Sequence, residues 1–225
     1  MSIITVERKV LEKNDEIAQQ NRTVFTERGI LVLNMVSSPG SGKTSILEQT
    51  FRVLRGKMKI SVIEGDVQTD LDAQRVAAYG VPVVQIVTMG GCHLDAGLVR
   101  DAMQKLDMGQ TDLLFIENVG NLVCPAGYDL GETMKVAVLS VTEGDDKPLK
   151  YPAMFRNSSV LIINKTDLIP YANCNLDELK GNALKINPYL RIFEISCSTG
   201  EGIPEWRDWL ATNCNALRVS GVAGK

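Results

Sequence analysis

Short apolar runs rich in β-branched and aliphatic residues recur along the chain and alternate with segments whose apolar residues follow helical spacing. Apolar runs of this length are typical of strands buried on both faces of a parallel sheet. They predict strands at residues 30–36, 60–64, 83–87, 113–117, 136–141, 160–164 and 192–196. The segments with helical spacing predict helices at residues 6–28, 45–55, 70–79, 96–106, 176–186 and 205–210.

The order of these elements indicates the fold class. Strands and helices alternate after a first helix, which is typical of an α/β domain with a mostly parallel, doubly wound sheet, here of about seven strands. We expect an N-terminal helical extension at residues 1–29, the α/β domain at residues 30–215 and a C-terminal tail at residues 216–225. The segment "TEGDDKPLKYP", residues 142–152, is charged and carries two prolines, so we expect a mobile surface loop there.

Composition narrows the possible functions. The formal net charge of −3 argues against nucleic acid or an anionic membrane as the main partner. No apolar run approaches ~18 residues, so no membrane span is expected, and the first residues lack the apolar core of a secretory signal. The five cysteines are widely spaced and odd in number. We therefore expect a cytoplasmic protein without a disulfide framework.

A glycine-rich loop, "SSPGSGKTS", joins the first predicted strand of the domain to a helix. The loop ends in Gly-Lys-Thr, as a P-loop does, but Ser37 occupies the position of the first glycine in the usual P-loop motif. In a P-loop, Lys43 would reach the β- and γ-phosphates and the Thr44 hydroxyl would bind Mg²⁺. The alternative is a flexible turn with a chance Gly-Lys-Thr, but the coincidence of strand, glycines, lysine and helix favours a P-loop. The expected nucleotide contacts are Ser38, Pro39, Gly40, Ser41, Gly42, Lys43, Thr44 and Ser45.

The segment "INKTDL" indicates which base is bound. Asn164-Lys165-x-Asp167 lies at a predicted strand end and matches the guanine-specificity motif of GTPases. The Asp167 carboxylate can accept two hydrogen bonds from guanine that adenine cannot donate, and such differences discriminate strongly between ligands. A later segment, "EISCSTGEG", is similar to the loop that closes over guanine, with contacts expected from Ser196 and Cys197. The sequence therefore predicts GTP or GDP as the nucleotide.

Two acidic residues at predicted strand ends are candidate Mg²⁺ ligands. "IENVG" supplies Glu117-x-x-Gly120 where GTPases carry Asp-x-x-Gly, so Glu117 would hold the ion and the Gly120 amide would contact the γ-phosphate. Asp66, at the end of the second predicted strand, is the other candidate. Either carboxylate could instead cap a helix.

Cysteine and histidine side chains suggest a second metal site. Cys92 lies next to His93, the only histidine of the chain, and Cys124 follows Gly120 by four residues. Thiolate and imidazole are ligands of both Zn²⁺ and Ni²⁺. Cysteine is also a common small core residue and a lone histidine is often structural, so the chemistry alone leaves both interpretations open. Three ligands from one chain would leave one position for exchange or for a second subunit.

The motifs together identify a family resemblance. "SSPGSGKT", "EGDVQTDLDA", "GGCHLDAGLV", "LLFIENVGNLVCPAGYDLGE", "VTEGDDKPLKYP" and "INKTDL" closely resemble the HypB family, GTPases that support nickel insertion during nickel–iron hydrogenase maturation. The resemblance implies a P-loop GTPase of the SIMIBI class that forms a homodimer. It also implies Cys92, His93 and Cys124 as ligands of Ni²⁺ or Zn²⁺. The implied partners are a nickel-delivery accessory protein and the hydrogenase large-subunit precursor.

The resemblance implies further features. Lys147, in preference to Lys150, would be offered to the partner's active site across the dimer, with Asp72 as its acidic counterpart; both could equally be solvated surface charges. Residues 1–30 contain no cysteine or histidine, so the extra nickel stores that some relatives carry there are expected to be absent or supplied by another protein. Slow intrinsic GTP hydrolysis is expected, because no glutamine is evident that would position water.

Three rival interpretations remain. A urease-accessory GTPase would share the scaffold, but that family has Cys-Pro-His at its metal loop where this chain has Cys124-Pro125-Ala126. A nickel-binding storage or sensor protein could use GTP only as a structural ligand. A P-loop kinase for small molecules is disfavoured by the guanine motif.

Overall fold

One sheet of seven parallel strands forms the centre of the protein, whose computed structural model describes residues 6–222, with side chains for residues 10–218. The strands are β1 (Leu31–Ser37), β2 (Ile60–Asp66), β3 (Val83–Val87), β4 (Leu113–Glu117), β5 (Met134–Ser140), β6 (Val160–Asn164) and β7 (Arg191–Glu194). Their spatial order is β3-β2-β4-β1-β5-β6-β7. The predicted parallel sheet is confirmed, with strand ends that differ from the predicted bounds by at most two residues.

Helices cover both faces of this sheet. They are α1 (Val6–Glu27), α2 (Lys43–Leu54), α3 (Leu71–Ala77), α4 (Ala96–Met103), α5 (Lys147–Lys150), α6 (Pro152–Arg156), α7 (Leu176–Ile186) and α8 (Ile203–Val222). All six predicted helices are present. Residues 1–5 of the expected N-terminal extension and 223–225 of the expected tail lie outside the described residues. Among the described residues, no helix is long and apolar enough to cross a membrane.

Two segments differ from the sequence-based expectation. Residues 142–152 contain the end of a 3₁₀ turn and α5, and they lead into α6. Pro148 and Pro152 occupy first-turn positions, where proline's fixed φ and missing N–H suit a helix start. Helix α8 continues far beyond the predicted 205–210 and into the expected tail. Its buried residues Trp206, Leu210 and Cys214 recur every fourth position, so its apolar stripe continues along the sheet.

Alternate residues of β1 face two sides of the sheet and enter different apolar clusters. Leu33 and Met35 pack with α2 and α8 in the largest cluster. On the opposite face Val32 joins a cluster with α1 and α4, whereas Val36 joins one with α6 and α7. Asn34 lies between these two clusters and is fully buried. A polar side chain at such a position requires hydrogen-bond partners, and these are described below.

Candidate functional site

A cavity of about 480 Å³ opens at the carboxyl ends of β1, β2 and β4. In a doubly wound sheet this is where ligands bind, because the strand order reverses there and the connecting loops diverge. Most of the predicted nucleotide and Mg²⁺ contacts line it: Pro39, Gly40, Gly42, Lys43, Thr44, Ser45, Asp66, Glu117, Gly120 and Lys165. The structure therefore brings the phosphate loop and the candidate carboxylates together around one volume.

The P-loop geometry depends on Gly42 and on Lys43. Gly42 has φ of 97°, and a Cβ atom at that position would lie 2.4 Å from Asn164 Nδ2. The next residue starts α2, so the N-terminus of the helix faces the cavity. Lys43 Nζ donates to Ser37 Oγ at 2.9 Å and lies 3.8 Å from Glu117 Oε1. Ser37, which replaces the usual first glycine, thus holds the lysine beside the cavity.

The guanine motif is attached to the rim of the P-loop. Asn164 Nδ2 donates to the Ser41 carbonyl at 2.9 Å, and Lys165 Nζ donates to the Gly40 carbonyl at 2.7 Å. Lys165 has φ of 62°, a left-handed conformation that ends β6 abruptly and starts the 3₁₀ helix Thr166–Tyr171. The motif and the phosphate loop are therefore fixed relative to each other.

The predicted closing loop lies against the guanine motif. Ser196 Oγ donates to Asp167 Oδ1 at 2.6 Å, and Gln49 Nε2 donates to the Cys197 carbonyl at 2.7 Å. Burial, with the nearby negative charge of Glu48 as the next cause, raises the pKa of the Cys197 thiol to about 11, so the sulfur stays neutral. Ser196 and Cys197 thus lie beside Asp167, and the Ser196 hydroxyl donates to the carboxylate that would read the base.

Three carboxylates meet at the inner end of the cavity. Oxygens of Glu64, Asp72 and Glu117 lie within 4.8 Å of one another, and the Thr44 hydroxyl donates to Glu117 Oε1 at 3.0 Å. Burial, followed by repulsion from Glu117, raises the pKa of Glu64 well above its ordinary value. Burial also raises the pKa of Glu117, although the positive charge of Lys43 acts in the opposite direction.

Sequence reasoning missed Glu64. It lies two residues before the end of β2 and is the register partner of Glu117 on β4, a relationship that appears only once the two strands are known to be adjacent. Asp66, the residue chosen instead, also lines the cavity. Its Oδ1 accepts hydrogen bonds from the Gln68 amide at 2.9 Å and from the Thr69 amide at 2.7 Å. Partial burial acts to raise the pKa of Asp66, but these hydrogen bonds prevail and lower it.

Glu143 is a second residue that sequence reasoning missed. Its Oε1 accepts hydrogen bonds from Ser41 Oγ at 2.7 Å and from the Ser140 amide at 2.9 Å. The contact joins the P-loop to the end of β5. The Ser-x-x-Glu pattern of residues 140–143 is the signal that could have found the local part of it, because it forms a capping box.

The cysteine–histidine residues form a second cluster of possible metal ligands. Donor atoms of Cys92, His93 and Cys124 lie within 4.8 Å of one another, and Cys92 Sγ is 3.5 Å from His93 Nδ1. All three side chains are partly exposed. The hydrogen bond with Cys124, followed by burial, raises the pKa of Cys92, whereas burial lowers the pKa of His93. The lowered pKa of His93 favours the neutral imidazole, which is the form that binds a metal ion.

Local backbone structure brings these ligands together. The loop before Cys92 turns at Met89 and Gly90, both with positive φ, and the Thr88 hydroxyl donates to the Gly91 carbonyl at 2.7 Å. Cys124 starts the 3₁₀ helix Cys124–Gly127. The His93 ring packs on the Tyr128 ring with centroids 3.9 Å apart, which closes the cluster against the residue that follows this turn.

Lys147 and Lys150, by contrast, lie on the surface of α5. Lys147 Nζ lies 5.7 Å from the centre of the Tyr151 ring, and Lys150 forms an ion pair with Asp146. Asp72, the proposed counterpart of Lys147, belongs to the carboxylate group in the cavity and pairs with Arg75 at 2.9 Å. Within one subunit the structure does not bring Lys147 to Asp72 or to the cavity lining.

Comparisons with known proteins agree with this geometry. The family described as CobW/HypB/UreG, nucleotide-binding domain, matches residues 31–194. The hydrogenase maturation factor HypB of Escherichia coli K12 is 51% identical over 210 residues, which cover 93% of this chain and 72% of that protein.

Two crystal structures are similar to the whole fold. HypB from Archaeoglobus fulgidus has a TM-score of 0.85 at 38% identity and covers 91% of this chain and 100% of its own. HypB from Helicobacter pylori in complex with nickel has a TM-score of 0.86 at 39% identity, with 91% and 96% covered.

Proposed function

The chain belongs to the CobW/HypB/UreG family and, within it, to the HypB hydrogenase maturation factors, and from this premise we propose that it is a GTP-hydrolysing metallochaperone. In this proposal it supports nickel insertion into a hydrogenase precursor. Nickel is its cargo, bound by Cys92, His93 and Cys124. Nucleotide state controls how that cargo is held.

One observation carries the proposal: a single segment reaches both sites. Glu117 and Gly120 line the nucleotide cavity, and Cys124, four residues after Gly120, belongs to the cysteine–histidine cluster. A change of backbone position at the γ-phosphate would therefore reach the metal ligand through very few bonds. Order–disorder or displacement of such a segment is how nucleotide-dependent switches work in other GTPases.

The chain's own residues supply the expected requirements for GTP hydrolysis. The Asp167 carboxylate would accept the N1–H and amino hydrogens of guanine, and Lys43 would neutralise charge on the β- and γ-phosphates. The Gly120 amide would contact the γ-phosphate, and water would attack in line with the leaving oxygen. Because no glutamine is among the described residues that line the cavity, catalysis would rest on positioning and charge neutralisation, and slow turnover is expected.

The residues present fit a Mg²⁺ ion. Glu64 Oε2 and Glu117 Oε2 are buried and have no hydrogen-bond partner among the described residues, and the Thr44 hydroxyl donates to the other oxygen of Glu117. Hard carboxylate and hydroxyl oxygens are the ligands that Mg²⁺ prefers. We propose Thr44, Glu117 and Glu64 as the residues that hold it, with Asp66 as a further candidate. When bound, the ion would neutralise phosphate charge.

The cysteine–histidine cluster supports a role in cargo binding rather than in permanent structure. It offers three ligands, which leaves a fourth position for an exchangeable group or a second subunit, and its side chains are partly exposed. Met89 and Val123, which lie close in sequence to Cys92 and Cys124, are 91% and 63% exposed. Apolar side chains at this position support a protein contact at the cluster. We propose a nucleotide-dependent homodimer there, and transfer of nickel between it, an accessory protein and the hydrogenase large-subunit precursor.

Two measurements test the proposed function. Multiple-turnover release of phosphate from GTP is expected from the wild type and is expected to be lost in Lys43→Ala. Titration with Ni²⁺ in the presence of GDP and of a non-hydrolysable GTP analogue should give different affinities or stoichiometries. Nickel binding without turnover would instead favour a storage or sensor protein. Equal nickel binding in both nucleotide states would contradict the proposed coupling.

A further inference from the structure

The side chain of Asn118 joins the nucleotide cavity to the segment that carries His93. Asn118 follows Glu117 at the end of β4 and is buried. Its Oδ1 accepts two backbone hydrogen bonds, from the Val119 amide at 3.0 Å and from the Leu94 amide at 3.0 Å. Val119 lines the nucleotide cavity, and Leu94 directly follows His93. One amide oxygen therefore connects the γ-phosphate segment to a metal-ligand segment.

The same side chain connects to the Cys124 segment through a buried chain of polar groups. Asn118 Nδ2 donates to Asn34 Oδ1 at 3.2 Å, and Asn34 Nδ2 donates to Glu132 Oε1 at 3.0 Å. Glu132 lies 3.9 Å from Lys135 Nζ. Lys135 Nζ in turn donates to the carbonyls of Pro125 at 3.0 Å and Ala126 at 3.2 Å, inside the 3₁₀ helix that Cys124 starts. We name these four side chains, Asn34, Asn118, Glu132 and Lys135, the buried polar chain.

Burial makes it costly to break a single hydrogen bond of the buried polar chain. All four side chains are at most 9% exposed. A buried donor or acceptor that loses its partner cannot turn to water instead, so the groups favour moving together over separating. Packed interiors with such networks have a few discrete arrangements rather than a continuous range.

The nucleotide end of this connection is also tightly packed. A Cβ atom at Gly120 would lie 3.0 Å from Pro39 Cα, so the γ-phosphate segment already touches the P-loop. A phosphate group that draws the Gly120 amide toward it must displace Val119 as well. The bond between Asn118 and the Leu94 amide must then follow or break.

We propose that Asn118 is the positioning residue through which nucleotide state at Gly120 reaches His93, while the buried polar chain ties the Cys124 segment to the same movement. This inference rests on the proposed function and specifies how its two sites are coupled. Asn118 itself lines the nucleotide cavity, but its side-chain oxygen and nitrogen are already engaged by Val119, Leu94 and Asn34. Its role is to make the two ligand-bearing segments respond together.

Helix α1 provides a matched control, because it also ties the two ligand-bearing segments together. The Asn14 side chain accepts from the Ala96 amide at 2.9 Å and donates to the Asp129 carbonyl at 2.8 Å. Neither of these Asn14 hydrogen bonds involves the γ-phosphate segment, residues 117–120. Loss of its side chain removes one buried amide, as loss of Asn118 does, without cutting the link to the nucleotide.

The experiment measures the Ni²⁺ affinity of the full chain with saturating GDP and with saturating non-hydrolysable GTP analogue, by titration against a competing chelator. For each variant we compare the ratio of the two Ni²⁺ affinities. A loss of stability alone lowers both affinities and leaves their ratio unchanged. We expect a wild-type ratio within the roughly 5- to 150-fold range of allosteric coupling. In Asn118→Ala the ratio should fall to about one, whereas Asn14→Ala should keep the wild-type ratio even if it binds Ni²⁺ more weakly.

Asn118→Ser keeps the test valid if Asn118→Ala does not fold. A serine hydroxyl can still bond the local Val119 amide but is too short to reach both Leu94 and Asn34, so the ratio should again fall to about one. Thermal unfolding confirms that each variant is folded before titration.

Three results would overturn the inference. Folded Asn118 variants that keep the wild-type ratio would exclude Asn118 as the connection. A loss of the ratio in Asn14→Ala as large as in Asn118→Ser would mean that any loosening of the ligand segments uncouples the sites. A wild-type ratio of one would remove the coupling in the proposed function, and this inference with it; the first two results leave that function intact.

Discussion

Glu64 and Glu117 are register partners on adjacent strands β2 and β4, and both carboxylates are buried at the inner end of the nucleotide cavity. Their carboxylate oxygens lie within 4.8 Å of each other, so two negative charges there would repel each other. Lys43 is a cation that lies 3.8 Å from Glu117. Such a pair is stable when one member holds a proton or when a divalent cation lies between the oxygens. The protein without ligands therefore carries an electrostatic cost that nucleotide with Mg²⁺ would relieve.

The first prediction concerns the pH dependence of stability without nucleotide or divalent cations. Burial and repulsion from Glu117 raise the pKa of Glu64, so the protonated form favours folding. That stabilisation is fully present below the unfolded pKa of about 4.3 and is lost as the pH rises through the folded pKa. Glu64→Gln should therefore be more stable than the wild type at pH 8, and the difference should shrink toward pH 4.5, by at most about 1.4 kcal/mol per pH unit.

Urea unfolding at several pH values measures this difference. Glu201→Gln, which removes an exposed carboxylate in the loop before α8, is the matched control against which the Glu64→Gln difference is compared at each pH. A Glu64→Gln difference that stays constant from pH 4.5 to pH 8 would contradict the buried like-charge pair.

The second prediction concerns the base. Asp167→Asn replaces an acceptor of two guanine hydrogen bonds by a side chain that can donate to xanthine. Two hydrogen bonds to a charged group contribute about 1.5–3 kcal/mol each, so selectivity for GTP over XTP should fall by roughly 10²–10⁴-fold. Competition binding with both nucleotides measures it. Ser196→Ala removes only the hydroxyl that donates to Asp167 at 2.6 Å, and it should keep the preference for GTP. Unchanged selectivity in Asp167→Asn would remove the guanine assignment.

The third prediction concerns the cysteine–histidine cluster. Cys92→Ala and Cys124→Ala should each weaken Ni²⁺ binding by at least about 100-fold. Substitution of a residue that only hydrogen-bonds a metal ligand already weakens metal binding by about 10–100-fold. Cys174→Ala is the matched control, because Cys174 is partly exposed but lies outside the cluster. Ni²⁺ titration of the three variants measures the effect. Strong binding that survives both ligand substitutions would place the nickel site elsewhere.

The fourth prediction concerns Lys135. Burial lowers the pKa of Lys135, although the negative charge of Glu132 acts in the opposite direction. Lys135→Met would leave the Glu132 carboxylate without its cation and the carbonyls of Pro125, Ala126 and Tyr128 without this donor. Removing one partner of a buried ion pair typically costs about 3–5 kcal/mol, and we expect that loss in urea unfolding. Lys150→Met removes an exposed ion pair with Asp146 instead and should leave the midpoint of urea unfolding nearly unchanged. Equal effects of the two substitutions would contradict the structural role of Lys135.

The strands and the phosphate loop could be predicted because their signals are local. An apolar run followed by glycines, lysine and threonine needs no knowledge of neighbours, and β1 and the P-loop lie where the pattern placed them. Ligand chemistry alone did not decide whether Cys92, His93 and Cys124 form a metal site. These residues come from two loops, and whether the loops approach each other depends on the order of the strands in the sheet. The family resemblance supplied what spacing could not.

The missed residues share a physical reason. Glu64 matters through its register with Glu117, and Asn34 matters through contacts with residues more than 80 positions away. Asn34 also lies within an apolar run, where it could be read only as one polar residue in a strand. Residues 142–152 were read as a loop because charge and proline suggest one, whereas proline at a first helical position is compatible with the helices found there.

The last prediction tests how closely the γ-phosphate segment must approach the P-loop. At Gly120, a Cβ atom would lie 3.0 Å from Pro39 Cα and 3.1 Å from Pro39 N, which are backbone atoms that cannot rotate away. Gly120→Ala should therefore shift the segment by a few tenths of an ångström, and the amide would no longer lie where the γ-phosphate needs it. Misplacement by 1 Å can cost about 100-fold in rate, so a decrease of roughly tenfold in phosphate release is expected.

GDP, which has no γ-phosphate, should bind Gly120→Ala nearly as well as it binds the wild type. That difference separates loss of the γ-phosphate contact from general damage to the cavity. Gly181→Ala is the control, because Gly181 lies within α7 with nothing within 4 Å of its Cβ position. There alanine should raise stability by about 0.5–1 kcal/mol and leave phosphate release unchanged. Wild-type turnover in Gly120→Ala would mean that the γ-phosphate is sensed by another group, and the link from Gly120 to Cys124 would lose its starting point.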